Sequence, residues 1–524
     1  MTATFADLQS LWQNILRDSN ANQANVTAVA IITALLAIWL ERNNRVFRHE
    51  TRNVQSLWHW ILSQQTIINS PINQDAPLPY PIDVNIHQNR MASPSTSPTV
   101  RTIKTYTVIP KPNPQAPRQL HLSAWDLALL SDHYIQKGLL FVNPPNLSLE
   151  QIIEQLRSSL EEALFHFYPL SGRLRWATCE GGDGQDIPKF LKEFFPHDQL
   201  VVNFDGCTIP LLAVQVTELI GGIFVGCSFN HVIGDGTSFW NFFNAWAEIA
   251  RCKAAGKEVV LSRPPLHDRW FIGGYGEPPI KLPYSSPAEF IVRSSQPLLR
   301  ERMFHFSTES LAKLKIRANQ ECDKDTISTF QALGALMWRC ITRARCTPQE
   351  QTTGCKLAIQ NRIRLQPPLM PNYFGNSINA IRTTTTAGEL LDNNLGWAAW
   401  LVHQLVNDHT DCAIRDLVHK YMDNPCVYNT HMFDIPTVMM ISSPRFDMYS
   451  CDFGWGKALA VRSGSAGKLD GIIVAYPGWE GGGSVDLEVC LSPEYMHALE
   501  RDEELLAVLS PPIELGILLG TSNK

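Results

Sequence analysis

From Gly222 to Phe229 the chain reads GIFVGCSF, a bounded apolar run with Ile223, Phe224 and Val225 at its heart, which predicts a short buried strand. Thr237 to Ala250 crowds apolar and aromatic residues onto two faces and predicts a helix, with Asp235, Thr237 or Ser238 as N-cap. Upstream, Thr102 to Pro110 alternates like an opening strand, and Leu122 to Leu130 reads as a helix or turn. Leu149 to Phe167 repeats Ile152, Ile153, Leu156, Leu160, Ala163, Leu164 and Phe167 at helical spacing, with glutamates on the other side, so it is an amphipathic helix facing a core. Downstream, a strand starts at Met303 to Phe306, and helices are expected over Ser310 to Arg317 and Ile327 to Arg345. Leu357 to Ile359 is a buried strand candidate, Gly471 to Tyr476 and Val485 to Leu491 form a hairpin, and a last helix runs from Pro493 to Leu505.

The first ninety residues break this pattern. Val26 to Leu40 is apolar but, at fifteen residues, falls short of the roughly 20 that span a bilayer. No basic stretch precedes it and no small-residue cleavage site follows, so a buried or interfacial helix is expected there. Ser70 to Pro98, rich in Pro, Asn and Ser, reads as a linker without fixed structure. Arg251 to Pro287, with Pro264-Pro265 and Pro278-Pro279, reads as a crossover between two domains.

Composition narrows the class. A chain of 524 residues exceeds one ordinary core, so two domains are the default, and 44% apolar with 18% charged residues is globular. The formal charge of -6 offers no basic field for nucleic acid or an anionic membrane, so an anionic ligand must be held by a local site. Twelve cysteines lie scattered without a C-x-x-C pair, which fits free thiols in a reducing compartment.

Candidate chemistry sits at Phe229-Asn230-His231-Val232-Ile233-Gly234-Asp235-Gly236. His231 follows a strand and enters a turn, where a side chain can be aimed into a cleft. An imidazole of ordinary pKa, about 6.5, is mostly neutral at cellular pH and accepts a proton from a hydroxyl or amine. Gly234 and Gly236 are expected to supply positive φ to a sharp turn. Asp235 either accepts a hydrogen bond from His231 or folds away to anchor the turn through an arginine. One histidine among fifteen is weak evidence. A second block, Asp452-Phe453-Gly454-Trp455-Gly456, packs an acid, two aromatics and two glycines into five residues.

In this order and far apart, the two blocks resemble the plant BAHD acyltransferases. The likeness extends to Tyr168-Pro169-Leu170-Ser171-Gly172-Arg173-Leu174, to Pro210 through Thr217, to Ser328-Thr329-Phe330 through Trp338-Arg339, and to Arg362-Ile363-Arg364-Leu365 leading to Tyr373-Phe374-Gly375-Asn376. It covers roughly Thr102 to Leu509 and, within the family, leans toward a cuticle-related subgroup. The resemblance implies an α/β, chloramphenicol-acetyltransferase-like fold of two similar domains with a channel between them, and transfer of an acyl group from acyl-CoA to a hydroxyl or amine. It implies His231 as the base, with Asp235, Gly236, Asp452, Gly454, Gly456, Arg362 and Arg364 as structural support. Buried Asp452 would pair with Arg362 or Arg364, Trp455 would form channel wall or steady an oxyanion, and Ser328 and Thr329, at a helix start, would meet coenzyme A or simply cap.

The expected layout is 1–90 outside the family, 91–260 as domain one, 261–300 as crossover and 301–524 as domain two. Trp39 to Phe47 resembles a tract of plant retroelement-derived reading frames, which implies an insertion or mis-joined gene model and makes Met91 the expected working start. After Arg173 a pair of strands usual in the family is missing, since Cys179 to Gly184 runs almost directly into Ile187-Pro188-Lys189-Phe190; that loss would expose sheet edges. Expected partners are an acyl-CoA donor as co-substrate and an alcohol or amine acceptor, with no bound cofactor, metal, nucleic acid or membrane, in a cytoplasmic monomer. Two rivals stand beside this: a binding scaffold without catalysis, favoured by the missing segment, and a CoA-independent lyase on the same fold.

Overall fold

The computed structural model describes residues 84–91 and 100–510, apart from 111–112, 115, 118, 145, 175–193, 197–200, 220, 276–279, 294–297 and 430–435. The chain divides into two units, Met1–Tyr80 and Pro81–Lys524, and all that follows concerns the second. The expected helix at Val26 to Leu40, the retroelement-like tract and Cys179 to Phe190 lie outside the described residues.

In chain order the first half contains β1 (Val84–Met91), β2 (Val100–Val108), α1 (Ala124–Leu127), β3 (Ile135–Val142), α2 (Leu149–His166), β4 (Leu212–Leu219), β5 (Gly222–Phe229) and α3 (Gly236–Ala254). A small hairpin, β6 (Trp270–Phe271) with β7 (Gly274–Tyr275), lies in the crossover. The second half contains β8 (Arg300–Phe306), α4 (Thr308–Glu321), α5 (Thr329–Ala344), β9 (Thr352–Gln360), β10 (Ile378–Thr386), α6 (Ala387–Asp392), α7 (Leu395–Asp408) and α8 (Asp411–Asp423). It ends with β11 (Thr437–Ile441), β12 (Ala460–Ser463), β13 (Ile472–Pro477), β14 (Val485–Leu491), α9 (Pro493–Leu499) and α10 (Glu503–Leu506).

Two six-stranded sheets result, ordered β12-β3-β5-β4-β1-β2 and β10-β9-β11-β13-β14-β8. β5 is apolar but for Ser228, as suits a strand lying inside its sheet between β3 and β4, and all eight of its residues are buried. Helices α2 and α3 pack together, and the Trp246 indole N–H donates to the Leu156 carbonyl at 3.2 Å and to Ser159 Oγ at 3.0 Å. Burying an aromatic ring there contributes about 1.5–3 kcal/mol, and its polar tip is satisfied. On the second sheet Trp338 does the same, donating to Thr353 Oγ1 at 3.1 Å.

Two expectations on layout are corrected. Val84–Met91, read as linker, is a strand: it runs parallel to β4 (Asn85↔Ala213) and antiparallel to β2 (Val84↔Val108). β4 therefore has partners on both sides, and the open edge expected from the shortened segment after Arg173 is closed there by chain from before Met91. Second, β12 comes from the C-terminal stretch yet pairs with β3 of the first sheet (Ala460↔Leu140, Ser463↔Lys137), so residues 301–524 do not form one half by themselves. The last helix is also interrupted: α9 ends at Leu499 with Glu500 as its C-cap, and Asp502 caps α10 by accepting from the Leu505 amide at 3.0 Å.

Candidate functional site

The turn after β5 is fixed from both sides through its backbone. Asn203 Oδ1 accepts from the His231 amide at 2.8 Å, and Asn376 Nδ2 donates to the His231 carbonyl at 2.7 Å. Both asparagines are fully buried; Asn376 also donates to Asp126 at 2.9 Å, and Asp126 forms a buried ion pair with Arg269 at 3.0 Å. Gly234 and Gly236 are not in the positive-φ region. They are glycines because of crowding: a Cβ on Gly234 would sit 2.6 Å from Ser238 Cβ, and one on Gly236 would sit 3.0 Å from the Phe446 ring.

Asp235 takes the second of its two open readings and turns away from His231. Its carboxylate accepts from Arg362 Nη1 at 2.6 Å and Nη2 at 2.9 Å, from the Thr237 and Ser238 amides at 3.1 Å each, and from the Ser377 amide at 3.0 Å. It is both N-cap of α3 and half of a buried bidentate pair that joins the two halves. Burial works to raise its pKa, but the Arg362 charge and the hydrogen bonds outweigh burial and leave the carboxyl below its ordinary range.

Arg362 is thereby unavailable to Asp452, and Arg364 donates instead to the carbonyls of Val406 at 3.0 Å and His409 at 3.1 Å. The expected arginine partner of Asp452 is therefore corrected: Asp452 Oδ1 accepts from the amides of Gly454, Trp455 and Gly456 at 2.7, 2.9 and 2.8 Å, while Arg251 donates to its carbonyl. Gly454 and Gly456 sit at φ +96° and +94°, which is why this tight nest needs glycine. Phe453 is buried 4.9 Å from the Trp246 ring, and Trp455 packs on Phe141 while its indole N–H donates to Gln155 Oε1 at 3.1 Å. Trp455 is thus anchored to α2 and is not among the residues lining the cavity, contrary to its expected place on the wall.

That cavity, about 1390 Å³, is bounded by both halves. His231, Thr237, Phe239 and Trp240 line it from the first, whereas Ile233 is buried in the core. Ser328, Phe330, Gln331 and Lys356 line it from the second. Ser328 caps α5 in a reciprocal box, its Oγ accepting from the Gln331 amide at 3.3 Å; Thr329 opens the helix without lining the cavity. Seven lysine and arginine residues line the cavity against four aspartate and glutamate, the reverse of the chain's net charge. His231 Nδ1 is buried, which leaves Nε2 as the nitrogen open to the cavity. Among the described residues Glu301, Glu488 and Cys490 cluster like metal ligands, but the Lys468 ammonium sits between the two carboxylates. No described helix is long and apolar enough to cross a membrane.

Sequence reasoning missed Asn203, Asn376, Asp126 and Arg269 as supports of the turn. Asn376 stood inside a quoted motif, but nothing in spacing links it to a backbone 145 residues away.

A family model described as the transferase family matches residues 98–184 and 183–506. An uncharacterised acetyltransferase of Arabidopsis thaliana is 33% identical over 434 residues, 75% of this chain and 95% of its own. The BAHD acyltransferase DCR of the same plant is 31% identical over 437 residues, 74% of this chain and 88% of its own. Among solved structures, TRI101 of F. sporotrichioides complexed with coenzyme A and T-2 superposes with a TM-score of 0.60 at 19% identity, over 75% of this chain and 99% of that one.

Proposed function

The chain belongs to the BAHD family of transferases, and from that membership we propose that it carries an acyl group from a coenzyme A thioester to a hydroxyl or amine of a small specialised metabolite or hydroxylated lipid. The observation that carries the reading is His231: it opens on a cavity bounded by both halves, while Asp235, locked to Arg362, holds its turn instead of its ring.

In this reading Nε2 of His231 takes the acceptor's proton as the oxygen or nitrogen attacks the thioester carbonyl. The tetrahedral oxyanion collapses, the coenzyme A thiolate leaves, and the imidazolium returns the proton to it. No acyl-enzyme forms. The positive cavity lining suits a donor carrying phosphates, and Ser328 at the start of α5 is the candidate phosphate contact, since that helix end offers amides and a favourable dipole. The test is release of free coenzyme A thiol from a panel of acyl thioesters and acceptors. His231→Ala should lose on the order of 10²–10⁴ in rate, and near-normal turnover by that variant would refute the assignment.

A further inference from the structure

Lys137 stands on β3, paired with Ser463 of β12 on one side and Cys227 of β5 on the other. Its ammonium donates to the Tyr476 hydroxyl at 3.1 Å and lies 4.7 Å from the centre of that ring. Glu488, the carboxylate whose charge acts on Lys137, is already committed. Lys468 holds one oxygen, and the hydroxyls of Ser463 and Tyr476 hold the other at 2.6 and 2.7 Å. Lys468 also reaches Glu301 at 3.4 Å. Two cations therefore meet two acids, but both acids go to Lys468. Lys137 has no ion pair among the described residues, and it lines the cavity.

An ammonium has three N–H donors, and one is used on Tyr476. A cation left in such a place without an anion is costly, which makes it a binding point for one. Burial and the neighbouring positive charge of Lys468 press the Lys137 pKa down to about 7, against the pull of Glu488 and Cys490 on β14. The wall also carries Met439, Ile441, Ile472 and Val474, so an aliphatic chain can lie along it. His231 follows Cys227, the partner of Lys137, by four residues and stands two residues past the end of β5, so at about 3.3 Å per residue their backbone positions are at most roughly 13 Å apart.

We infer that Lys137 receives a carboxylate at the far end of the acceptor, which makes the acceptor class an aliphatic hydroxy or amino acid with its acid group remote from the acylated atom. The inference rests on the acyl-transfer reading for which end reacts, but its test does not require turnover. The probes are 10-hydroxydecanoate and its methyl ester, titrated by calorimetry into the wild-type chain and into His231→Ala. Below neutrality the acid should bind at least about tenfold tighter than the ester in both proteins, a difference of about 1.4 kcal/mol. The preference should fade as pH rises through about 7, because Lys137 loses its proton while the probe stays ionised. Tyr476 on β13, Glu301 on β8, and Glu488, Cys490 and Lys468 are the other titratable groups facing it. Lys137→Gln should abolish the preference and Lys137→Arg should keep it. Equal affinity for acid and ester in the wild-type chain, including none for either, overturns the inference. So does a preference that survives in Lys137→Gln, or a loss of acetyl-CoA affinity in that variant with acid and ester bound alike, which would put a coenzyme A phosphate at this lysine.

Discussion

At the scale of single residues, the buried pair of Asp235 and Arg362 sets what the histidine turn can do. Asp235→Asn would leave the guanidinium uncompensated, and breaking one side of such a pair typically costs about 3–5 kcal/mol. A matching drop in the denaturant midpoint is expected, with activity falling because the turn carrying His231 loses its anchor. Its pH dependence has a definite sign. Asp235 in the unfolded chain ionises near pH 3.9, and in the fold lower still, so the pair stabilises fully above about pH 4 and is lost as pH falls through the folded value. Stability of the wild-type chain measured against pH should therefore fall more steeply in acid than that of the Asn variant. His231, Asp235 and their glycines were legible as a block because strand, turn and helix signals converge on them. Which way Asp235 faces was not, because its arginine lies 127 residues away and only packing brings it near.

At the scale of elements, strand-versus-helix reading succeeded where burial writes a clear apolar pattern, on one face of a helix or along a whole inner strand. α2 carries its apolar residues at strict helical spacing, and β5 is apolar but for Ser228. It failed at β1, whose sequence VNIHQNRM alternates only from Val84 to His87 before turning polar, and lies in a polar, Pro-rich surround. What makes it a strand is the pair of neighbours, β2 and β4, whose backbone groups it satisfies, and no local propensity encodes that. A chain starting at Met91 would strip away this strand and expose two edges. Expressed side by side, residues 81–524 should be soluble and monodisperse, whereas 91–524 should aggregate; comparable solubility and melting behaviour for the two would show that β1 contributes nothing. The block from Asp452 to Gly456 was likewise legible as unusual, but its meaning changed. The carboxylate organises its own turn through three amides, and the tryptophan clamps that turn to α2 instead of lining the cavity.

At the scale of the molecule, the two halves are tied together by β12 completing the first sheet and, beside the cavity, by the Asp235–Arg362 pair and the Asn376 bonds to His231 and Asp126. The negative chain carries a positively lined cavity bounded by both halves. Its pull on a phosphate-bearing donor should weaken with salt, because the screening length shrinks from about 30 Å at 0.01 M to about 3 Å at 1 M. The apparent KM for acyl-CoA should accordingly rise at least about threefold over that range. A KM indifferent to salt would mean that the lining charges do not act on the donor. That the cavity is positive while the chain is negative could not be read from composition, since Lys137, Lys356, Arg364 and Arg445 come from separate elements and loops.

The most direct test of the central claim is the rate of coenzyme A thiol release, in the presence of acyl thioester and acceptor, by the wild-type chain and by His231→Ala. The imidazole opening on the cavity predicts release that depends on both substrates and falls on the order of 10²–10⁴ in the variant, with its fold and melting temperature unchanged. Equal release by the two proteins, or product formed without any coenzyme A thioester, would contradict acyl transfer at His231.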